Sequence, residues 1–248
     1  MKAARLDSLT PFPLPPDFAM MRRKPWPAGP ERKCARRGMT LIELLVAIAI
    51  VALLAGVAVS AFGPVRASAD RAVAMKQMRQ IGTALHQHAG EHHGRLPGPM
   101  WPGQIPVYDP DRDGRLARTL APYLSVPTPP QPELVDLFVP PGFERAVGTG
   151  ALMDSRTYVL NMFAPLPDGQ VVNPWGNLAH EEPGSGRQLA LLPGELWALS
   201  DADQLHPRVG SAPWGRNTPP EPIHGLNRLA LLFSGSVIQI EDEELEIP

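Results

Sequence analysis

Residues 41–61 read LIELLVAIAIVALLAGVAVSA. A helix needs about 20 apolar residues to cross the hydrocarbon core of a bilayer, and this stretch supplies them. From Leu44 to Val59 there is no polar side chain; Glu43 alone interrupts the longer run. Residues 39–62 are therefore expected to form a transmembrane helix, which divides the chain into a short head before it and a large body after it. The Lys and Arg excess lies wholly in the head, with Arg22, Arg23, Lys24, Arg32, Lys33, Arg36 and Arg37 just ahead of the apolar run. By the positive-inside rule the N-terminus stays cytoplasmic and the body is exported to the periplasm.

Charge supports the same division. Residues 1–38 hold nine of the 23 basic and three of the 25 acidic side chains, a net of +6 that leaves −8 on the remainder. A basic head on an acidic body reads as a targeting segment, and the near balance overall gives no case for nucleic acid as a partner. Proline, at 31 of 248 residues, removes backbone donors too often for most of the body to be a helical bundle. With Cys34 as its one cysteine, the chain has no internal disulfide.

Glu43 requires a reason. A carboxylate at the start of a membrane helix can reach back to the headgroups and gain from the positive end of the helix dipole. The residues around it offer a sharper reading. Gly38-Met39-Thr40-Leu41-Ile42-Glu43 resembles the processing site of type IV prepilins and type II secretion pseudopilins, where a basic leader ends in Gly and the fifth mature residue is Glu. The resemblance implies cleavage after Gly38 by a prepilin peptidase and N-methylation of Met39. It also implies that Glu43 faces the α-amine of a neighbouring subunit in an assembly, an arrangement in which two buried charges compensate one another. The leader of 38 residues, with seven prolines, is long for that family. A start at Met20 or Met21 would leave a compact basic leader. Two other export routes read less well: a secretory cleavage near Val59-Ser60-Ala61, with Glu43 inside the apolar region, and twin-arginine export through Arg36-Arg37.

Beyond Gly63-Pro64, where a kink is expected, Ala74, Met78, Ile81, Leu85 and Ala89 recur at three- and four-residue steps. This amphipathic helix, within residues 63–96, is expected to run to about His93 and to stop at Gly94 and Pro97. His88-x-x-Glu91-His92 matches an inverted zinc-protease pattern, but no third ligand follows at a readable spacing. The surrounding GTALHQHAGEHHGRLP is similar to a packing and turn segment of a pseudopilin-like group found in planctomycete-type bacteria.

Residues 97–141 read as Pro- and Gly-rich loop. Asp109, Asp111 and Asp113, followed by Gly114, match the first half of a calcium loop, with Leu120 where the bidentate Glu would stand. The alternatives are weak calcium binding and an acidic surface turn; no other cofactor is expected. Strands are expected at 157–161, 189–192 and 196–200, and a hairpin at 229–233 and 237–240, with Gly235 supplying positive φ in its turn. The acidic residues from 241 onward read as a solvated end. His224, nine residues, then Ser234-Gly235 is similar to the His-x9-Asp-Gly signature of the same planctomycete-type group, with Ser in place of Asp, and Thr157-Tyr158-x-x-Asn161 to its Ser-Tyr-x-x-Asn strand. His224 and Gly235 are accordingly read as structural. Asp201, Asp203, His206, His224 and Ser234 can be drawn as a hydrolase triad, yet no Gly-x-Ser-x-Gly elbow accompanies them.

The expected fold is α+β, a long N-terminal helix, membrane-spanning and then amphipathic, packed on a small antiparallel β-sheet head with Pro-rich loops at 97–248. The expected function is that of a non-enzymatic pilin-like subunit. Its partners would be the prepilin peptidase, other pilin or pseudopilin subunits and the inner membrane. The rivals are a membrane-tethered periplasmic binding protein and a tethered metal-dependent hydrolase.

Overall fold

A computed structural model of the chain describes residues 39–176, 186–210, 212–241 and 245. The leader, with Gly38, and most of the acidic C-terminal end lie outside them. The chain divides into two compact units, Met1–Leu53 and Leu54–Pro248, with the boundary inside the first helix.

That helix, α1, runs Leu41–Glu91 and continues through Pro64. It ends two residues short of the expected His93, because His93 (φ 55°) and Gly94 (φ 77°) enter the left-handed region. The Gly94 N–H then reaches back to the Ala89 carbonyl at 2.7 Å, a closure that satisfies a terminal carbonyl and stops the helix. In the first unit the described residues are the opening of α1, and its apolar side chains are exposed, Leu41 at 80% and Leu53 at 69%.

In the second unit the expected stripe is buried: Ala74, Met78, Ile81, Leu85 and Ala89 are all at 4% exposure or less. It packs on a five-stranded antiparallel sheet built from β1 (Gly103–Gln104), β4 (Tyr158–Leu160), β7 (Trp197–Asp201), β8 (Arg228–Leu232) and β9 (Val237–Ile240), in the order β1-β4-β7-β8-β9. Two short ribbons, β2 (Val107–Tyr108) with β3 (Glu133–Leu134) and β5 (Ala164–Pro165) with β6 (Val171–Val172), complete the strands. The α+β reading holds.

Helix and sheet meet closely at Gly82. A Cβ there would lie 2.7 Å from Leu231 Cδ1 and 3.6 Å from the Gly235 carbonyl, so the missing side chain lets α1 approach both β8 and the turn that follows it. The β8–β9 hairpin forms as expected, with Ala230 opposite Ile238 and Gly235 at φ 87°. A register shift between Trp197 and Leu199 splits β7 between two clusters. Leu199 joins the core with Met78, Ile81, Leu229 and Leu231, whereas Trp197 packs with Ala230, Ile240 and Leu245 on the other side.

Two local expectations are corrected. Residues 189–192 form a 3₁₀ turn, Leu189–Leu191, closed by Leu192 N–H to the Leu189 carbonyl at 3.1 Å, while Leu189 N–H reaches the Gly94 carbonyl at 2.8 Å. The stretch 97–141 contains a helix, α2 (Leu116–Leu124), which buries Leu116, Ala117, Leu120 and Ala121 despite Pro122. In β4 burial does not alternate, because the strand is internal: Tyr158 and Leu160 belong to the main core and Val159 to a cluster with Ala202 and Val209.

Candidate functional site

Met39 and Thr40 lead into α1, and Glu43 lies in its first turn. Met39 is 64% exposed and Thr40 is the residue before the first helical turn. Thr40 donates to Glu43 Oε2 twice, from its backbone N–H at 2.8 Å and from its hydroxyl at 2.9 Å, and Glu43 N–H donates back to Thr40 Oγ1 at 3.3 Å. This is a capping box, Thr-x-x-Glu, in which each side chain satisfies a backbone donor that the helix leaves open. The spacing of Thr40 and Glu43 in the sequence is the signature of this motif.

Residues 33–59 match the prokaryotic N-terminal methylation motif. The match takes in Gly38, Met39 and Glu43, and supports a type IV pilin- or pseudopilin-like protein. The described part of α1 is long and apolar enough to cross a membrane, and with this motif it supports a membrane-anchored protein. No curated protein and no solved structure matches the chain.

The polar residues of the second unit sort into separate places. His88 and His92 stack with ring centroids 3.9 Å apart and 5° between planes. His92 Nδ1–H is turned inward to the His88 carbonyl at 2.8 Å, and Glu91 Oε2 accepts the Tyr123 hydroxyl at 2.8 Å. Within the zinc-protease pattern, His92 thus bonds its own helix and Glu91 bonds Tyr123, while His88 Nδ1 is buried without a hydrogen-bond partner. Asp109 Oδ1 accepts Asp111 N–H at 3.0 Å while its Oδ2 meets Arg112 Nε at 3.3 Å, and Asp113 pairs with Arg118 at 2.5 Å. Leu120, at the twelfth loop position, is a core residue of α2. Among the described residues no group of three or more His, Cys, Asp or Glu side chains is placed to hold a metal ion.

The drawn triad does not assemble. Ser234 lies in the hairpin turn, its Oγ accepting Ser236 N–H at 3.5 Å. Ser200, which the sequence reading omitted, sits 2.8 Å from His206 Nε2 in the interior. The Arg208 backbone N–H donates to His206 Nδ1 at 3.0 Å. Nδ1 is therefore the acceptor, the ring proton is on Nε2, and it points at the serine oxygen. Burial and then Arg228 lower His206 to about 3, which fixes this neutral form. A histidine so arranged donates to serine and does not remove its proton. Asp203 is spent on Arg228, accepting from Nε at 2.5 Å and Nη2 at 2.8 Å.

His224 lies on the helix side. Its carbonyl accepts Arg71 Nη2–H at 2.9 Å, which ties its loop to α1. Its Nε2 is 3.6 Å from Asp201 Oδ2, longer than a hydrogen bond. Burial and then Arg71 lower His224 to about 4, and burial raises Asp201 to about 7. Both shifts favour neutral forms, so the contact is a buried polar pair rather than a strong ion pair. Asp201 Oδ2 is held by Leu229 N–H at 3.0 Å. His224 Nε2, Asp201 Oδ1 and the hydroxyl of Tyr158, which stands opposite Asp201 in the β4–β7 pair, are buried without hydrogen-bond partners. His224 thus ties its loop to α1 through its carbonyl, while its ring is not fully satisfied. Asn161 explains the Tyr-x-x-Asn pattern: its Nδ2 donates to the Trp197 carbonyl at 3.0 Å and its carbonyl accepts Trp175 Nε1–H at 2.9 Å, joining β4, β7 and a core tryptophan.

Proposed function

We propose that the protein is a pilin-like structural subunit without enzymatic activity. It is inserted in the inner membrane with its N-terminus cytoplasmic, cut after Gly38 by a prepilin peptidase, methylated on Met39, and assembled through α1 with other pilin or pseudopilin subunits. The product is a type II secretion pseudopilus or a type IV pilus-like filament, and the likeness of His224, nine residues, Ser234-Gly235 to the planctomycete-type signature supports membership of that subgroup. The single observation that carries this reading is the match to the methylation motif at 33–59, whose residues from Leu41 onward lie on an apolar helix with exposed side chains such as Leu45 and Leu53.

Physics supports a double use of that helix. Its apolar surface has a low free energy in lipid, and burial against copies of itself preserves that gain once the subunit leaves the membrane. The capping box keeps the Glu43 carboxylate hydrogen-bonded before any neighbour arrives, which lowers the cost of carrying it into lipid. A neighbouring Met39 amine then offers it a charged partner.

The decisive experiment is intact-mass and N-terminal peptide mass spectrometry on protein from native membranes. A mature chain starting at N-methylated Met39 is expected. A chain starting near Phe62, or one left uncut, would overturn the reading.

One structural feature favours a second reading, a membrane-tethered binding protein. A polar cleft of about 540 Å³, lined by Asp154, Gln204, Arg216, Asn217 and Thr218, is within the size range of small-molecule sites. That reading predicts a stable monomer retained in the inner membrane.

A further inference from the structure

The cleft of about 540 Å³ has two walls drawn from distant parts of the chain. One is the segment leading into β4, with Asp154 and Ser155; the other is the 3₁₀ turn Gly215–Asn217, with Thr218 after it and Gln204 beside it. Hydrogen bonds hold the walls in place. Arg156 N–H donates to the Asn217 carbonyl at 3.0 Å, and Gln204 donates from Nε2 to the Thr218 carbonyl at 3.1 Å and from its N–H to the Pro219 carbonyl at 2.8 Å. The Thr218 hydroxyl closes the turn on the Gly215 carbonyl at 2.6 Å. A Cβ on Gly215 would lie 2.6 Å from the Val209 carbonyl, so the turn is packed hard against its neighbours. The cleft is preformed, and a ligand would have little chain to order.

Two lining residues are buried, Ser155 at 1% exposure and Thr218 at 3%. Thr218 gives its hydroxyl proton to the turn, but the Ser155 hydroxyl makes no hydrogen bond among the described residues. A buried hydroxyl left unpaired is costly, and a partner placed in the cleft would remove that cost. The exposed Asn217 amide and the Gln204 side-chain oxygen are likewise unengaged among the described residues. Asp154 and Arg216 also line the cleft, one charge of each sign, and both are exposed, where screening weakens them. The lining therefore gives little preference to a charged ligand. Its free groups are of mixed type: Ser155 and Asn217 each give and take hydrogen bonds, Gln204 Oε1 and Asp154 accept, and Arg216 donates. A set of vicinal hydroxyls, each both donor and acceptor, is the complement of such a lining.

We propose that this cleft binds a neutral saccharide unit, with Ser155 and Asn217 engaging its hydroxyls. None of the lining residues is aromatic, so no ring stacks on the sugar face, and the affinity is expected to be weak, with a Kd of about 1 mM. The inference rests on the cleft that favours the second reading above, yet the site stands equally in a filament subunit and in a tethered monomer. Its failure would leave the processing at Gly38 untouched.

The test is saturation-transfer NMR on the full chain in a polyoxyethylene detergent, which carries no sugar headgroup. The probes are glucose, galactose, mannose and N-acetylglucosamine, with glycine and acetate as charged comparators. Saturable transfer to at least one of the four sugars is expected, and none to glycine or acetate. Ser155→Ala and Asn217→Ala are each expected to weaken the sugar response at least fivefold. Ser155→Ala should also keep or raise the melting temperature, because it removes an unpaired buried hydroxyl; Asn217→Ala, at an exposed side chain without a hydrogen bond, should leave it unchanged. Silence from all four sugars, a response that does not saturate, or one retained in both variants would overturn the site. A response confined to glycine or acetate would do the same, since the charged rim would then be the binding element.

Discussion

Glu43 Oε2 accepts both the backbone N–H and the hydroxyl of Thr40, two residues after the site of proposed cleavage. The carboxylate proposed to meet a neighbouring subunit therefore already serves its own helix, and the two roles can be separated by substitution. Glu43→Gln keeps an oxygen acceptor for the cap and removes the charge; Thr40→Val keeps the charge and removes the hydroxyl. Thr40→Val is expected to weaken the helix start by about 1 kcal/mol and still to assemble. Glu43→Gln is expected to remain in the membrane and to fall out of the sheared filament fraction. Equal recovery of the two variants in that fraction would refute the charge role.

Gly82 predicts a packing effect. In Gly82→Ala the new methyl meets the Leu231 side chain, itself 1% exposed, so that side chain, α1 or β8 must give way. A loss of about 1–3 kcal/mol is expected, the usual cost of overpacking a core. Leu231→Ala in the same chain should recover part of it. Chemical denaturation of the four proteins of this double-mutant cycle checks both statements, and strict additivity would show that the contact is not felt.

The Asp203–Arg228 pair, with both side chains 1% exposed, predicts an asymmetry. Asp203→Asn leaves the arginine charge buried without its carboxylate and is expected to cost about 3–5 kcal/mol. Replacing both residues by apolar ones of similar volume is expected to cost much less. A double replacement as damaging as Asp203→Asn alone would show that the pair adds stability beyond cancelling its own burial.

Asp201 predicts a pH dependence of opposite sign to that of the buried histidines. Its carboxyl holds a proton up to about pH 7 in the folded chain, against an ordinary value of 3.8, so folding binds a proton in that window. Its contribution to stability is present at low pH and is lost as pH rises toward 7. His206 and His224, lowered from 6.5 to about 3 and about 4, contribute in the other direction: stability falls as pH drops below their ordinary value. Asp201→Asn is therefore expected to gain on the native chain between about pH 5 and pH 8, measured as the difference in melting temperature. A constant difference across that range would contradict a raised Asp201.

The parts of the fold that were legible are those whose signal is periodic or local. The stripe Ala74–Met78–Ile81–Leu85–Ala89 and the hairpin around Gly235 repeat at the period of the structure they form. The capping box at 40–43 is equally local, since Thr40 and Glu43 stand three residues apart at the helix start. Helix α2 was obscured by Pro122, although Leu116, Ala117, Leu120 and Ala121 mark its buried face. The run at 189–192 could not be settled from its residues, since apolar side chains before a proline fit a strand or a turn, and the choice depends on whether an adjacent strand is available.

The apolar segment, the methylation motif, the amphipathic continuation and the α+β class are legible in the sequence, because each is set by neighbours along the chain. Tertiary structure alone decided the polar chemistry. It set the proton of His206 toward Ser200, placed His224 against Asp201 across 23 residues of sequence, and brought Arg115 and Arg156 together at Gly103. Those outcomes depend on which strands adjoin and how deeply each group is desolvated, quantities that no local pattern encodes.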